Sequence, residues 1–177
     1  MKKIIIGIFS SLLLIGIFST SAFAVSTPAP TSPPSNISSF ELFWPIVAGK
    51  TMEDPLYFLK TLKEKVRGFL IFGKAQKADH NVFLATKRVV EAEKLISESK
   101  RELAVKTLDK AVVLLKSAET EVSSTSGEVI PSDIKNNINK QLENLEIFIP
   151  RLMSQDGSLV GKLQEVLSIV KTFNSKI

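Results

Sequence analysis

The chain has 177 residues, of which 44% are hydrophobic and 23% are charged, and its formal net charge is +5. A chain of this length and composition is typical of one globular domain with accessory segments, and not of a large multidomain enzyme. It contains no cysteine, which excludes disulfide bonds, thiolate metal sites and a thiol nucleophile.

The first 24 residues have the pattern of a secretory signal peptide. Lys2 and Lys3 precede an apolar run over residues 4–18, and Ala22 and Ala24 form a small-residue cleavage site before Val25. We therefore expect a secreted or extracytoplasmic bacterial protein. The alternative is an uncleaved membrane anchor, although the run is shorter than the roughly 20 residues that a spanning helix needs.

Cleavage would leave 21 basic and 18 acidic residues. A small overall excess of cations does not favour a polyanion, because nucleic-acid binding relies on clustered Lys and Arg. We therefore predict no nucleic-acid partner. Membrane contact is expected only through the N-terminal segment, if that segment is retained.

Residues 25–39 are rich in Pro, Ser and Thr, which predicts a disordered linker because too few apolar groups are present to pack. An aromatic segment follows at residues 40–53 and contains a candidate interaction patch at Phe40, Phe43 and Trp44. Exposed aromatics are enriched at interfaces. We favour the other interpretation, in which these rings close one end of a helical core, because a solitary bundle leaves an open apolar end.

Residues 54–122 predict a core of three helices. Asp54 and Pro55 are a start signal for the first helix, over residues 54–72, in which apolar residues recur at steps of three and four. The second and third helices, over residues 74–97 and 101–122, share Ala-rich seams of the same period. Small residues at such spacing favour close packing of an antiparallel hairpin.

Two further helices are predicted over residues 131–177 and are expected to pack on that core. The fourth helix begins near Pro131, and Pro150 predicts a kink or an early end because proline lacks an N–H to donate. The fifth helix is marked by apolar residues from Leu159 to Phe173. The predicted fold is an all-α antiparallel bundle of about four to five helices.

No combination of residues predicts a reaction. His80 is the only histidine and lies beside Asp79 and Asn81, on what the pattern indicates is the polar side of its helix. A triad also needs a nucleophile and an orienting acid, and a helical di-iron site needs two Glu-x-x-His pairs. We predict no catalytic residues, no metal site and no cofactor.

Four charged residues are candidates for structural ion pairs. Lys60 and Glu64 are spaced i,i+4, and Arg88 and Glu91 are spaced i,i+3, so each pair could form within its own helix. The alternative is that Glu64 meets Arg88 across the interface between the two helices. A partly buried fork of this kind fixes helix register more than it adds net stability.

These residues also carry a resemblance to a known family. The stretch over residues 44–122 resembles an uncharacterised domain family of exported bacterial proteins, a domain of unknown function. The pattern that carries it has Pro, Leu-Tyr, Lys and Glu on the first helix and Ala, Arg, Glu and Ala on the second: Pro55, Leu56, Tyr57, Lys60, Glu64, Ala85, Arg88, Glu91 and Ala92. The resemblance implies an extracytoplasmic helical domain and assigns no reaction.

The sequence thus predicts a non-enzymatic structural or protein-interaction module at the bacterial cell envelope. Its expected partner is an envelope protein or a wall polymer. The alternative function is a small-molecule or lipid carrier, with an apolar cavity between helices near Trp44, Phe69 and Phe72.

Overall fold

A computed structural model describes residues 38–125 and 129–177. The predicted signal peptide and most of the predicted linker lie outside the described residues. Within those two ranges the chain forms α-helices and one short 3₁₀ helix, with no strand. The predicted all-α fold is confirmed.

The first described element is a short helix within the aromatic segment. Helix α1 spans Ser39–Phe43. Ser38 and Glu41 form a capping box, in which the Glu41 N–H donates to Ser38 Oγ at 3.2 Å and the Ser38 N–H donates to the Glu41 carboxylate at 2.9 Å. The Asn144 side chain donates to the Leu42 carbonyl at 2.7 Å, which ties α1 to the bundle.

Helix α2 spans Tyr57–Phe69, a later start and an earlier end than the sequence predicts. Asp54 accepts a hydrogen bond from the Leu56 N–H at 2.7 Å, so it caps a turn that leads into the helix. The chain then turns through residues 70–73 into helix α3, which spans Lys74–Ser97 as predicted.

Helix α4 spans Arg101–Ser123 and returns alongside α3. The two helices are antiparallel, because the start of α3 lies beside the end of α4. Lys74 donates to the Ser124 carbonyl at 2.7 Å, and Asn81 donates to Ser117 Oγ at 3.2 Å. The connection is tight. Ser99 adopts a left-handed φ of 60°, and the Lys100 N–H donates to the Leu95 carbonyl at 2.8 Å, as in a Schellman end.

Helices α5 and α6 span Ser132–Gln155 and Val160–Asn174, joined by the 3₁₀ turn Gly157–Leu159. Helix α5 continues past Pro150, so the expected early end is wrong. It packs on α3, α6 packs on α4, and the two contact each other. Helices α3–α6 therefore form a four-helix bundle, and the predicted first helix, α2, lies outside it on the α3–α4 side.

Candidate functional site

A group of charged side chains holds α2 against α3, and we call it the polar clamp. It consists of Lys60 and Glu64 on α2 with Lys87, Arg88 and Glu91 on α3. Arg88 Nη1 lies 2.7 Å from both carboxylate oxygens of Glu91. Lys87 Nζ lies 2.8 Å from Glu64, Arg88 Nη2 contacts the same carboxylate, and Lys60 contacts Glu91.

The helical period explains why one face of α2 supplies these contacts. Tyr57, Lys60, Thr61, Glu64 and Gly68 follow one another at steps of three and four, which places them on one side of the helix. All five are buried or half-buried. Helix α2 therefore packs on the bundle through a face that is largely polar.

Lys60 also fixes the loop that precedes α2. Its ammonium donates to the carbonyls of Ala48 and Lys50, at 3.0 Å and 2.6 Å, in addition to its contact with Glu91. Three acceptors around one ammonium satisfy its three N–H donors. The clamp thus sets the position of both the helix and its approach.

Burial and charge oppose each other in the clamp. Burial acts to raise the pKa of Glu64, but the hydrogen bond from Lys87 and the charges of Arg88 and Lys87 outweigh it, so this pKa is lowered. Burial lowers the pKa of Lys60. Glu91 is fully buried and Arg88 is 4% exposed. Two carboxylates face three cations, so both carboxylates have cationic partners and one positive charge is left over. An ion network of this kind can fix helix register.

Tyr57 completes the clamp from the start of α2. Its ring centroid lies 4.8 Å from Lys110 Nζ, 5.5 Å from Lys60 Nζ and 5.7 Å from Arg88 Cζ. Burial raises the pKa of Tyr57 to about 12, so the phenol stays neutral at physiological pH. Cations over an aromatic face are attracted to it. The ring therefore helps to gather the cations of three helices.

The structure brings all four of the predicted ion-pair residues into one network. Arg88 and Glu91 pair within α3, and Arg88 also meets Glu64 across the helix interface. Lys60 reaches across to Glu91. Lys87 was not among the residues singled out from the sequence, and Tyr57 was named only as part of the family pattern. A sequence signal for Lys87 existed, because Lys87 and Arg88 are adjacent cations and Glu64 is the acid of α2 that both contact.

The opposite face of α2 is apolar and points away from the bundle. We call it the outer face, and it consists of six side chains: Phe58, Leu59, Leu62, Val66, Phe69 and Leu70. Their exposed fractions run from 49% at Leu59 to 81% at Phe69. This corrects the expectation that residues 54–72 form part of a three-helix core. Apolar residues do recur at steps of three and four along α2, but they face solvent.

The sequence suggested that His80 lies on the polar side of its helix, but in the structure it lies beneath α2. It is 9% exposed, and a β-carbon on Gly68 would lie 3.6 Å from its ring. Its Nε2 has no hydrogen-bond partner among the described residues. Burial, followed by the charge of Arg67, lowers the pKa of His80. Burial therefore disfavours the protonated form of this imidazole.

A cavity of about 560 Å³ lies beside His80, between α2, α3 and α4. Charged groups from all three helices line it, together with apolar side chains of α3 and α4. The residues around which the carrier alternative placed its cavity do not line this one. Trp44, Phe69 and Phe72, which were expected to form that cavity, are 66%, 81% and 86% exposed and do not enclose one between helices.

The candidate aromatic patch divides into two parts. Phe43 is 3% exposed, and its ring meets Phe148 edge-on at a centroid distance of 5.3 Å. Phe43 therefore closes the bundle and is not available to a partner. Phe40 and Trp44 are exposed and lie against each other, with ring centroids 4.6 Å apart. Only these two residues remain as a surface patch.

Among the residues that the structure describes, no group of three or more His, Cys, Asp or Glu side chains is arranged to hold a metal ion. No helix in the same ranges is both long enough and apolar enough to cross a membrane.

Comparison with known proteins identifies the family of this chain. No curated protein and no solved structure matches it. A family described as a domain of unknown function, DUF5667, matches residues 49–152. That range contains α2, α3, α4, most of α5 and the whole polar clamp. The chain belongs to the DUF5667 family of domains of unknown function.

Proposed function

We propose that this protein is a non-enzymatic interaction module of the bacterial cell envelope, and that the outer face of α2 is its working surface. The observation that carries the proposal is the exposure of that face. Soluble monomers rarely expose contiguous apolar patches beyond a few hundred Å² unless the patch binds something. Here two phenylalanines and four aliphatic side chains, each 49% exposed or more, share one face of α2 and its C-terminal end.

The polar clamp supports this proposal because it keeps the outer face of α2 exposed. If α2 rotated to bury its apolar side chains, Glu64 and Lys60 would leave the interface. Arg88 and Glu91, 4% and 0% exposed, would then lose part of their counter-charge. Leaving a buried charge without its partner costs about 3–5 kcal/mol. The clamp therefore holds α2 in the orientation that presents the apolar face.

The chemistry of the described residues supports a binding role over catalysis. Both carboxylates of the clamp are paired with cations, and His80 lies beside no activated nucleophile. The leader pattern of residues 1–24 supports an envelope location. An apolar face is also better suited to an apolar partner than to a polar wall polymer.

A cross-linking experiment in cells tests this proposal. The full chain is produced with a photoreactive amino acid at Leu62, on the outer face, or at Lys106, an exposed position on α4. After irradiation and fractionation, adducts with envelope components should form at position 62 well above those at position 106. Equal or absent adducts at position 62, with the protein present in the envelope fraction, would overturn the proposal.

A further inference from the structure

The outer face of α2 has a defined angular layout. At about 100° per residue, its six side chains fall within an arc of about 120°, opposite the side that bears Tyr57 and Glu64. Lys65 borders one edge of this arc and Lys63 borders the other, with Arg67 beyond Lys63. All three cations are exposed. An apolar stripe thus has one cation along one edge and two along the other.

The charges on the exposed part of α2 have one sign. Lys63, Lys65 and Arg67 form no ion pair with any residue that the structure describes. The single acid of the helix, Glu64, faces inward and is used in the clamp. The surface beside the apolar arc therefore lacks the counter-charge that most surface helices carry.

From this layout we infer that α2 docks in the plane of an anionic lipid surface, with its outer face among the acyl chains and its lysines at the headgroups. The inference rests on the proposed function and names the partner class of the same face. Interfacial helices have an apolar face and a cationic border, and they bind through buried apolar area plus attraction to anionic lipids. The sequence alone had assigned membrane contact only to residues 1–24.

The attachment of α2 favours a flat surface over a protein groove. A groove that takes an amphipathic helix wraps around much of its circumference. Here the inner side of the helix is bound to α3 through Lys60 and Glu64, so a partner reaches only the outer arc. A lipid surface can contact such an arc without wrapping around it.

A second copy of the chain fits less well. In a two-fold dimer built on α2 the same patch faces itself. Lys63, Lys65 and Arg67 would then approach their own counterparts, with no acid on the exposed part of the helix to offset them. Like charges brought together at an interface oppose association. Anionic headgroups supply the opposite charge directly.

The test places a reporter on the outer face itself. The chain has no cysteine, so Leu62→Cys in the full chain carries one environment-sensitive dye, and Lys106→Cys carries the same dye as a matched control. Vesicles of phosphatidylglycerol and phosphatidylcholine are added, or vesicles of phosphatidylcholine alone. Because the readout is local, it reports on α2 even if residues 1–24 bind the vesicles by themselves.

The expected result is a blue shift of the dye at position 62 with the anionic vesicles and none at position 106. The shift should weaken in high salt, because salt screens exposed charges. In Lys63→Glu/Lys65→Glu the apparent lipid affinity at position 62 should fall by about tenfold or more. The matched control, Lys106→Glu/Lys116→Glu, reverses two exposed lysines of α4 and should leave the affinity within about twofold. Circular dichroism verifies that each variant is folded.

The inference is overturned if the dye at position 62 stays unshifted in the presence of anionic vesicles, whether or not the chain sediments with them. It is also overturned by a shift without lipid that grows with protein concentration, which would assign the face to a second copy. If a protein adduct at position 62 forms in cells and the vesicle signal is absent, the proposed function stands and the lipid inference alone fails.

Discussion

The α3–α4 hairpin and helix α2 use the same spacing of apolar residues for opposite purposes. In the hairpin, Ala85 and Val89 on α3 and Leu108 and Leu115 on α4 are fully buried, and alanines between them let the two helices approach closely. In α2 the repeating apolar residues face solvent, and polar residues face the bundle. The period shows that a helix has two faces, but it does not show which of them is buried.

What decides the orientation of α2 is the chemistry of its neighbour. The surface that α3 offers beside α4 contains Arg88 and Glu91, two charges that only charged partners can satisfy in a buried position. Helix α2 supplies those partners, Lys60 and Glu64, on one side. Its apolar side is then left to face outward.

The largest expected effect comes from the centre of the clamp. Glu91→Ala leaves Arg88 and Lys60 without their shared carboxylate in a buried site, which costs about 3–5 kcal/mol of the free energy of unfolding. Urea unfolding followed by circular dichroism measures it. Glu143→Ala, at an exposed glutamate of α5, is the control and should change stability by less than about 0.5 kcal/mol. Similar losses for the two variants would mean that the clamp does not hold in solution.

A matched pair of leucines compares the two regions directly. Leu115→Ala removes a fully buried side chain of α4 and should cost about 2–5 kcal/mol. Leu62→Ala removes a side chain that is 54% exposed and should stay within about 0.5 kcal/mol of wild type. Urea unfolding followed by circular dichroism measures the free energy of unfolding of both variants. Equal losses would place Leu62 in a core and contradict the orientation of α2.

The contact across the interface between α2 and α3 can be measured as a coupling energy. A double-mutant cycle on Glu64→Ala and Arg88→Ala should give about 0.5–3 kcal/mol, the range for residues of one network. Lys162 and Glu165 are the control, because they form an i,i+3 pair within α6 and are more exposed. Their coupling should stay below about 0.5 kcal/mol. A Glu64–Arg88 coupling no larger than the control would remove the register role of this pair.

The smallest effect concerns the histidine under α2. The pKa of His80 is lowered by burial and by Arg67, against the opposing influence of Glu64 and Asp79. The unfolded chain therefore takes up a proton before the folded chain does, so the free energy of unfolding falls as pH drops below about 6.5. Above that pH the contribution is constant. Between about pH 5.5 and 6.5, above the range in which carboxylates titrate, this slope should disappear in His80→Asn, since the chain has no other histidine. An unchanged slope there would contradict the burial of His80.

The sequence predicts the hairpin well because its signals agree with one another. The Ala-rich seams, the short turn at residues 98–100 and the high helix propensity all favour the same packing, and α3 has the predicted bounds. It predicts α2 only as a helix. Its orientation depends on Arg88 and Glu91, which are close to α2 in space but 24 or more residues from Glu64 along the chain. Periodicity within one segment contains no information about such a partner.

Some of the candidate residues could likewise be chosen from local sequence, whereas the burial of others depends on tertiary contacts. Lys60, Glu64, Arg88 and Glu91 could be chosen because helical spacing brings opposite charges near the seams, although their joint network needs the tertiary contact. Phe43 and Trp44 are adjacent and both aromatic, and nothing local separates them. Only the docking of α1 on Phe148 buries one ring and leaves the other exposed.

The reactivity of a single cysteine on the outer face shows whether that face is exposed to solvent. In the cysteine-free background, Leu62→Cys in dilute, lipid-free solution should react with a maleimide nearly as fast as Lys106→Cys. Leu115→Cys, at a fully buried position, should react orders of magnitude more slowly, because it is reached only by unfolding. Protection of Leu62→Cys at the level of Leu115→Cys would mean that the apolar side of α2 packs inward, and the account of an outward-facing helix would be wrong.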